Sequence, residues 1–230
     1  MGLIISKGIN YFIKMLKEFS GFLKTGKTTD KENYFKDFFI LFLIVFTIGI
    51  LISLVKAYFY DLNIIDEEDF DSLNWGTFFS YVIVVPFIEE IIFRAPLVIP
   101  RSKIYSGLIS LVLIFSSIIY LKNEIASAVL IILVIIIQIL YLFNSKICLI
   151  INDFIKKYYL ALIYLTSISF GLLHMLNYEA INVQTFISII GRTIGGFYFA
   201  FIISKYSFSS SYLLHGKNNV IPFLVLVIAN

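Results

Sequence analysis

Between residues 37 and 229 the sequence is a succession of apolar runs separated by short polar segments. A continuous apolar run of about 18 residues or more is long enough to cross a bilayer as a helix. Seven such runs are read, at 37–58, 75–97, 104–121, 125–143, 158–176, 183–203 and 208–229. Residues 145–157 place Ile147, Leu149, Ile150, Ile151 and Phe154 between Lys146 and the pair Lys156/Lys157, which predicts an interfacial helix or an eighth, short element. Backbone polar groups inside lipid must be satisfied within the segment, so helices follow from the runs. The expected fold is all-α, a polytopic transmembrane bundle of seven to eight spans. Composition agrees: 60% of residues are hydrophobic, against about 45–50% in soluble domains.

Residues 1–35 differ in kind. Ile5, Ile9, Phe12, Ile13, Leu16, Phe19 and Leu23 recur at helical spacing, with Lys7, Lys14, Lys17, Glu18 and Lys24 between them. This pattern predicts a basic amphipathic helix on the membrane surface, followed by a polar linker. Residues 36–230 then form the transmembrane domain. Lys7 and Lys14 interrupt the first apolar run, so no cleavable signal peptide is expected. Met1-Gly2-Leu3-Ile4-Ile5-Ser6 matches the short myristoylation pattern; the Ile-, Lys-, Phe- and Asn-rich composition is of a bacterial kind and weighs against it.

The Lys-rich first segment precedes an acidic stretch, Asp61, Asp66, Glu67, Glu68, Asp69 and Asp71, after which Arg94, Arg101 and Lys103 appear. By the positive-inside rule the N-terminus is cytoplasmic and the acidic loop at 59–74 external, in a bacterial plasma (inner) membrane. A net charge of +3, dispersed along the chain, gives no footprint for nucleic acid. The single cysteine, Cys148, excludes an internal disulfide and reads as a packing residue.

Ionisable groups inside spans are costly, about 2.5–3.5 kcal/mol each on insertion scales, and call for a reason. Glu89 and Glu90 are adjacent, hence about 100° apart around a helix. Glu90 and Arg94 are one turn apart and able to pair, leaving Glu89 without a partner on its own helix. A buried carboxylate of that kind suits a general base; the structural alternative is a Glu–Arg pair at a helix end with Glu89 reaching for the interface. Phe170 and His174 share a helix face, and Gly171 permits close helix approach. On its own, His174 reads as a membrane histidine bonded to a neighbouring carbonyl. His215 and Asn219 are also one turn apart and can both donate to a developing oxyanion; the plainer reading is a polar loop. Gly191, Arg192, Gly195 and Gly196 read as a packing face of small residues.

Taken in order, Glu89-Glu90-x-x-x-Arg94, Phe170-x-x-x-His174 and His215-x-x-x-Asn219 resemble the motifs of the CAAX prenyl protease and bacteriocin-processing family of intramembrane endopeptidases. The resemblance covers residues 75 to 225 and none of 1–60. It implies that Glu89 activates the attacking water with help from His174, that His215 and Asn219 form an oxyanion hole, that Glu90 and Arg94 support them, and that Phe170 shapes the cavity. It further implies a peptide or membrane-protein substrate. One departure stands out: the motif-bearing segments 75–100 and 158–229 are separated by an inserted hairpin, 104–143, where the family has a short loop.

Three other readings compete. The fold could serve as a non-catalytic scaffold or a bacteriocin self-immunity protein. A proton-coupled transporter would also use intramembrane Glu, His and Arg, but it predicts inverted repeats and none is seen. Zinc on Glu89, His174 and His215 would keep the hydrolase and change its chemistry. The HExxH spacing is absent, so the reaction is expected to need no cofactor.

Overall fold

The structure, a computed structural model, describes residues 2–29, 74–120, 124–178 and 181–229, together with residues 39, 40, 42, 43, 47, 49 and 51. All regular elements among them are helical. The expected external loop at 59–74, apart from Asn74, and most of the expected span at 37–58 lie outside the described residues.

Helix α1 runs over Gly2–Thr25. Its end is set by Gly26, which adopts φ 68° and donates its N–H to Phe22 O at 2.7 Å, the left-handed cap that glycine adopts without steric cost. The helix is not free of the bundle. Met15 and Phe22 are fully buried in the common core, and Phe19 and Phe22 meet the ring of Phe201 edge-on at 5.5 and 5.3 Å. Ile9, Phe12, Ile13 and Leu16 stay exposed on the other side.

Helix α2 spans Trp75–Phe93 and changes register midway: Ser80–Val84 is a π-helical turn. Pro86 accounts for part of this, because it has no N–H to return to the preceding turn. The sequence predicts a span to residue 97, but α2 stops at Phe93 and Arg94 breaks it at φ −115°. Pro96 contributes, because it has no N–H to return to Ile92 O and sits at the start of the next helical turn. The chain restarts as the short turn α3, Ala95–Val98, and a 3-10 turn, Ile99–Arg101.

Helices α4 (Ile104–Tyr120) and α5 (Glu124–Phe143) form the inserted hairpin. Gln138 of α5 clamps it, bonded to Ser110 at 3.1 Å and Ser106 at 3.2 Å. Helix α6, Ser145–Lys157, is the separate short element expected at 145–157. Asn144 caps its start by accepting from Lys146 N and Ile147 N, and Lys156 and Lys157 complement its C-terminal dipole.

Helices α7 (Tyr159–Leu173) and α8 (Val183–Lys205) make the most extensive pairing among the described residues. Glycine lets them touch backbone to backbone. A methyl on Gly171 would collide with Thr193 and with Ile189 O, and one on Gly196 would lie 2.8 Å from Ser167 O. The sequence reads Gly171 as a point of close helix approach and Gly191, Gly195 and Gly196 as a packing face; the close approaches are found at Gly171 and Gly196, whereas a methyl on Gly195 would meet only Phe199, at 4.0 Å. Helix α9, Phe208–Ala229, returns beside α2 and α8.

Four helical stretches are long and apolar enough to cross a membrane: Trp75–Phe93, Ile125–Phe143, Tyr159–Leu176 and Thr185–Lys205. The apolar part of α4, Ile104–Ile118, is shorter. The regular structure of the described residues is thus all helical, the chain has the character of a membrane protein, and four such helices are found among those residues against the seven to eight spans expected.

Candidate active site

The three motif segments converge on one cavity of about 340 Å³. Its walls include Glu89 from α2, Phe170 from α7, His174 from the 3-10 turn that follows α7, and His215 and Asn219 from α9. No described residue of the 104–143 hairpin lines it. The insertion therefore leaves the motif-bearing helices free to assemble.

Glu89, which has no partner on its own helix, acquires two from elsewhere. Its Oε1 lies 3.4 Å from His174 Nε2, and its Oε2 lies 3.3 Å from His215 Nε2. Each imidazole presents Nε2 because its Nδ1 is already engaged. His174 Nδ1 is 2.7 Å from Phe170 O; a carbonyl only accepts, so Nδ1 carries the hydrogen. His215 Nδ1 is 3.1 Å from Glu90 Oε1. Two adjacent carboxylates cannot share one helix face, but a single ring set between them reaches both.

Glu90 is fully buried and saturated. Oε2 accepts from Ser211 Oγ at 2.6 Å, and Oε1 faces both His215 and Arg94 Nε, the latter at 3.7 Å. The sequence assigned Glu90 to Arg94 alone; the closer partners are Ser211 and His215. Arg94 is held mostly by aromatic rings. Its guanidinium carbon lies 4.1 Å from the Phe170 centroid, 5.5 Å from Phe199 and 5.6 Å from Phe93. Its Nη1 and Nη2 have no hydrogen-bond acceptor among the described residues, so the ring faces add to the compensation that the Glu90 carboxylate provides at Nε.

Asn219 Nδ2 donates to Tyr81 O at 3.0 Å. That carbonyl has lost its helical donors. In the π turn the N–H of Val85 goes to Ser80 O, and Pro86, the next residue in line, has none. Gly216 allows the approach, since a methyl there would stand 2.6 Å from Val82 O. Asn219 also lines the cavity.

Several participants carried no motif signal. Phe199 stacks on His215 at 4.5 Å and 22°, and Ser211 supports Glu90. Arg192 and Gly195, read from the sequence as packing residues, line the cavity wall. For Ser211 a signal existed: it stands one turn before His215 on the same helix face. Among the described residues, no group of three His, Cys, Asp or Glu side chains is arranged to hold a metal ion.

No family model matches the sequence, and no curated relative and no solved structure matches it either.

Proposed function

We propose that the chain is an intramembrane endopeptidase of the CAAX-protease type, hydrolysing a peptide bond of a membrane-associated substrate without a metal. One observation carries the reading. Glu89 directs one carboxylate oxygen at each of two imidazoles, in a cavity it shares with the amide of Asn219. A water bound beside Glu89 loses a proton to the carboxylate as its oxygen attacks the scissile carbonyl carbon. The charge that develops on the carbonyl oxygen is met by Asn219 Nδ2–H and by His215. At rest His215 carries its hydrogen on Nδ1, toward Glu90; the proton that Glu89 takes from the water is shared with Nε2, 3.3 Å from Glu89 Oε2, and through that hydrogen His215 meets the oxyanion. Collapse of the tetrahedral intermediate expels the amine, which takes the proton back from Glu89. His174, anchored on Phe170 O, orients Glu89 for both transfers.

The setting proposed is a bacterial plasma membrane with a cytoplasmic N-terminus, α1 lying at the lipid interface with Ile9, Phe12, Ile13 and Leu16 outward. The test is a cleavage assay on peptides from host membranes, with the full chain in lipid discs. Glu89→Gln is expected to abolish turnover while the fold persists, because the amide takes no proton. Wild-type turnover in Glu89→Gln would remove the proposed base. Stoichiometric zinc with chelator-sensitive, zinc-restorable activity would overturn the metal-free reading.

A further inference from the structure

Ser211 belongs to no motif, yet its side chain is completely buried and its Oγ stands 2.6 Å from Glu90 Oε2. We infer that Ser211 is a positioning residue which, acting through Glu90, determines which nitrogen of His215 carries hydrogen and therefore which nitrogen faces Glu89. The inference rests on the proposed hydrolase only for its kinetic consequence; its structural consequence is independent of any activity.

The terminal torsion of a glutamate is soft and broad, so a carboxylate with one anchored oxygen can turn away from its partner. Ser211 anchors Oε2. The other oxygen, Oε1, then stays 3.1 Å from His215 Nδ1 while Arg94 Nε lies on the same oxygen at 3.7 Å. With donors on both oxygens, Glu90 acts as an acceptor toward His215, and Nδ1 is the nitrogen that must donate. Nε2 is thereby directed at Glu89.

Ser211 reaches the same histidine by a second route. Its Oγ is 3.2 Å from Phe199 O, and the Phe199 ring stacks on the imidazole. The one hydroxyl hydrogen lies closer to Glu90, with the Phe199 carbonyl as the lesser acceptor. Since Ser211 and His215 are one turn apart on α9, the hydroxyl and the ring it controls move as one body, and Glu90 closes the link from α2.

The chain contains two histidines, so isotope labelling of histidine nitrogen yields two imidazoles, and His174→Gln assigns the remaining one to His215. The measurement is nitrogen NMR of the full chain in lipid discs, alongside kinetics. In the wild type, His215 is expected to carry its hydrogen on Nδ1. Ser211→Ala should redistribute that hydrogen toward Nε2 and lower kcat about tenfold with KM unchanged, the scale of one hydrogen bond to a charged group. Ser211→Thr, which keeps the hydroxyl, should restore both. If Ser211→Ala does not fold, Ser211→Cys, of similar size and a weaker donor, takes its place with the same expectation. His215 nitrogen signals that are identical in the wild type and the folded Ala or Cys variant would overturn the inference whatever happens to turnover. Absence of Glu89-dependent cleavage in the wild type would instead remove the hydrolase reading and leave the NMR result standing.

Discussion

Asn219 donates its side-chain amide to Tyr81 O at 3.0 Å, across the interface of α9 with α2. The acceptor exists because the π turn at Ser80–Val84 and the missing N–H of Pro86 strip that carbonyl of its helical donors. The bond does two things at once. It gives that carbonyl a donor, as a backbone group in lipid requires, and it fixes the amide of a residue that lines the cavity.

Asn219→Ala is therefore expected to reduce kcat by about 10²–10³, the effect of deleting one oxyanion donor, with little change in KM. Steady-state kinetics on any cleaved peptide checks it. An effect confined to KM would show that Asn219 binds substrate and does not stabilise the transition state.

Glu90→Gln should act on stability first. The fully buried Arg94 would lose its carboxylate, and Ser211 and His215 would face an amide in its place. Breaking a buried pair by removing one partner costs about 3–5 kcal/mol. Thermal unfolding in detergent is expected to shift sharply downward for Glu90→Gln and little for Glu89→Gln, whose carboxylate borders the cavity. Equal shifts would mean that the two glutamates have equivalent surroundings.

The crossing of α7 and α8 depends on Gly171 and Gly196, not on Gly195. Gly196→Val should lower stability by about 1–3 kcal/mol or more, as overpacking does. Gly195→Ala, whose methyl would meet nothing nearer than Phe199 at 4.0 Å, should keep the fold and narrow the cavity. Unfolding midpoints of the two variants decide this.

The contact of α1 with the bundle should be sensitive to acid. Burial alone would raise the Glu18 carboxyl, but the Lys205 ammonium together with the hydroxyl and N–H of Thr29 hold it below its ordinary value of 4.5. The ion pair with Lys205 measures 2.6 Å. A depressed folded value means that the stabilisation is complete above 4.5 and disappears as pH falls through the lower, folded value. Fluorescence of a probe on a cysteine at Ser20 should report release of α1 in that acidic window, and Glu18→Gln should flatten the response. A wild-type signal independent of pH down to full protonation would show that apolar packing of Met15 and Phe22 holds α1 unaided.

Much of this was legible in the residue order. The length of the apolar runs dictates helices, because an uninterrupted run of that length in lipid satisfies its backbone within itself only as a helix. Spacing of one turn placed Phe170 with His174 and His215 with Asn219, since such pairs share a helix face in any context. The motif resemblance brought Glu89 and the two histidines together on paper, and the structure sets them within 3.4 Å. Helix α6 was readable from its flanking lysines, whereas the stop of α2 at Phe93 was not read, the span having been carried through Pro96 to residue 97.

What only the tertiary structure decided are relations between helices far apart in sequence. Residue order did not reveal that His215 would lie between two adjacent carboxylates, that Ser211 would hold Glu90, or that α1 would bury Met15 and Phe22 against α8. Nor did it distinguish Gly196 from Gly195. Helical periodicity specifies which residues share a face; it does not specify which face meets which neighbour. That choice follows from where backbones can approach, at Gly171, Gly196 and Gly216, and from which freed carbonyl or buried charge finds a donor across the gap.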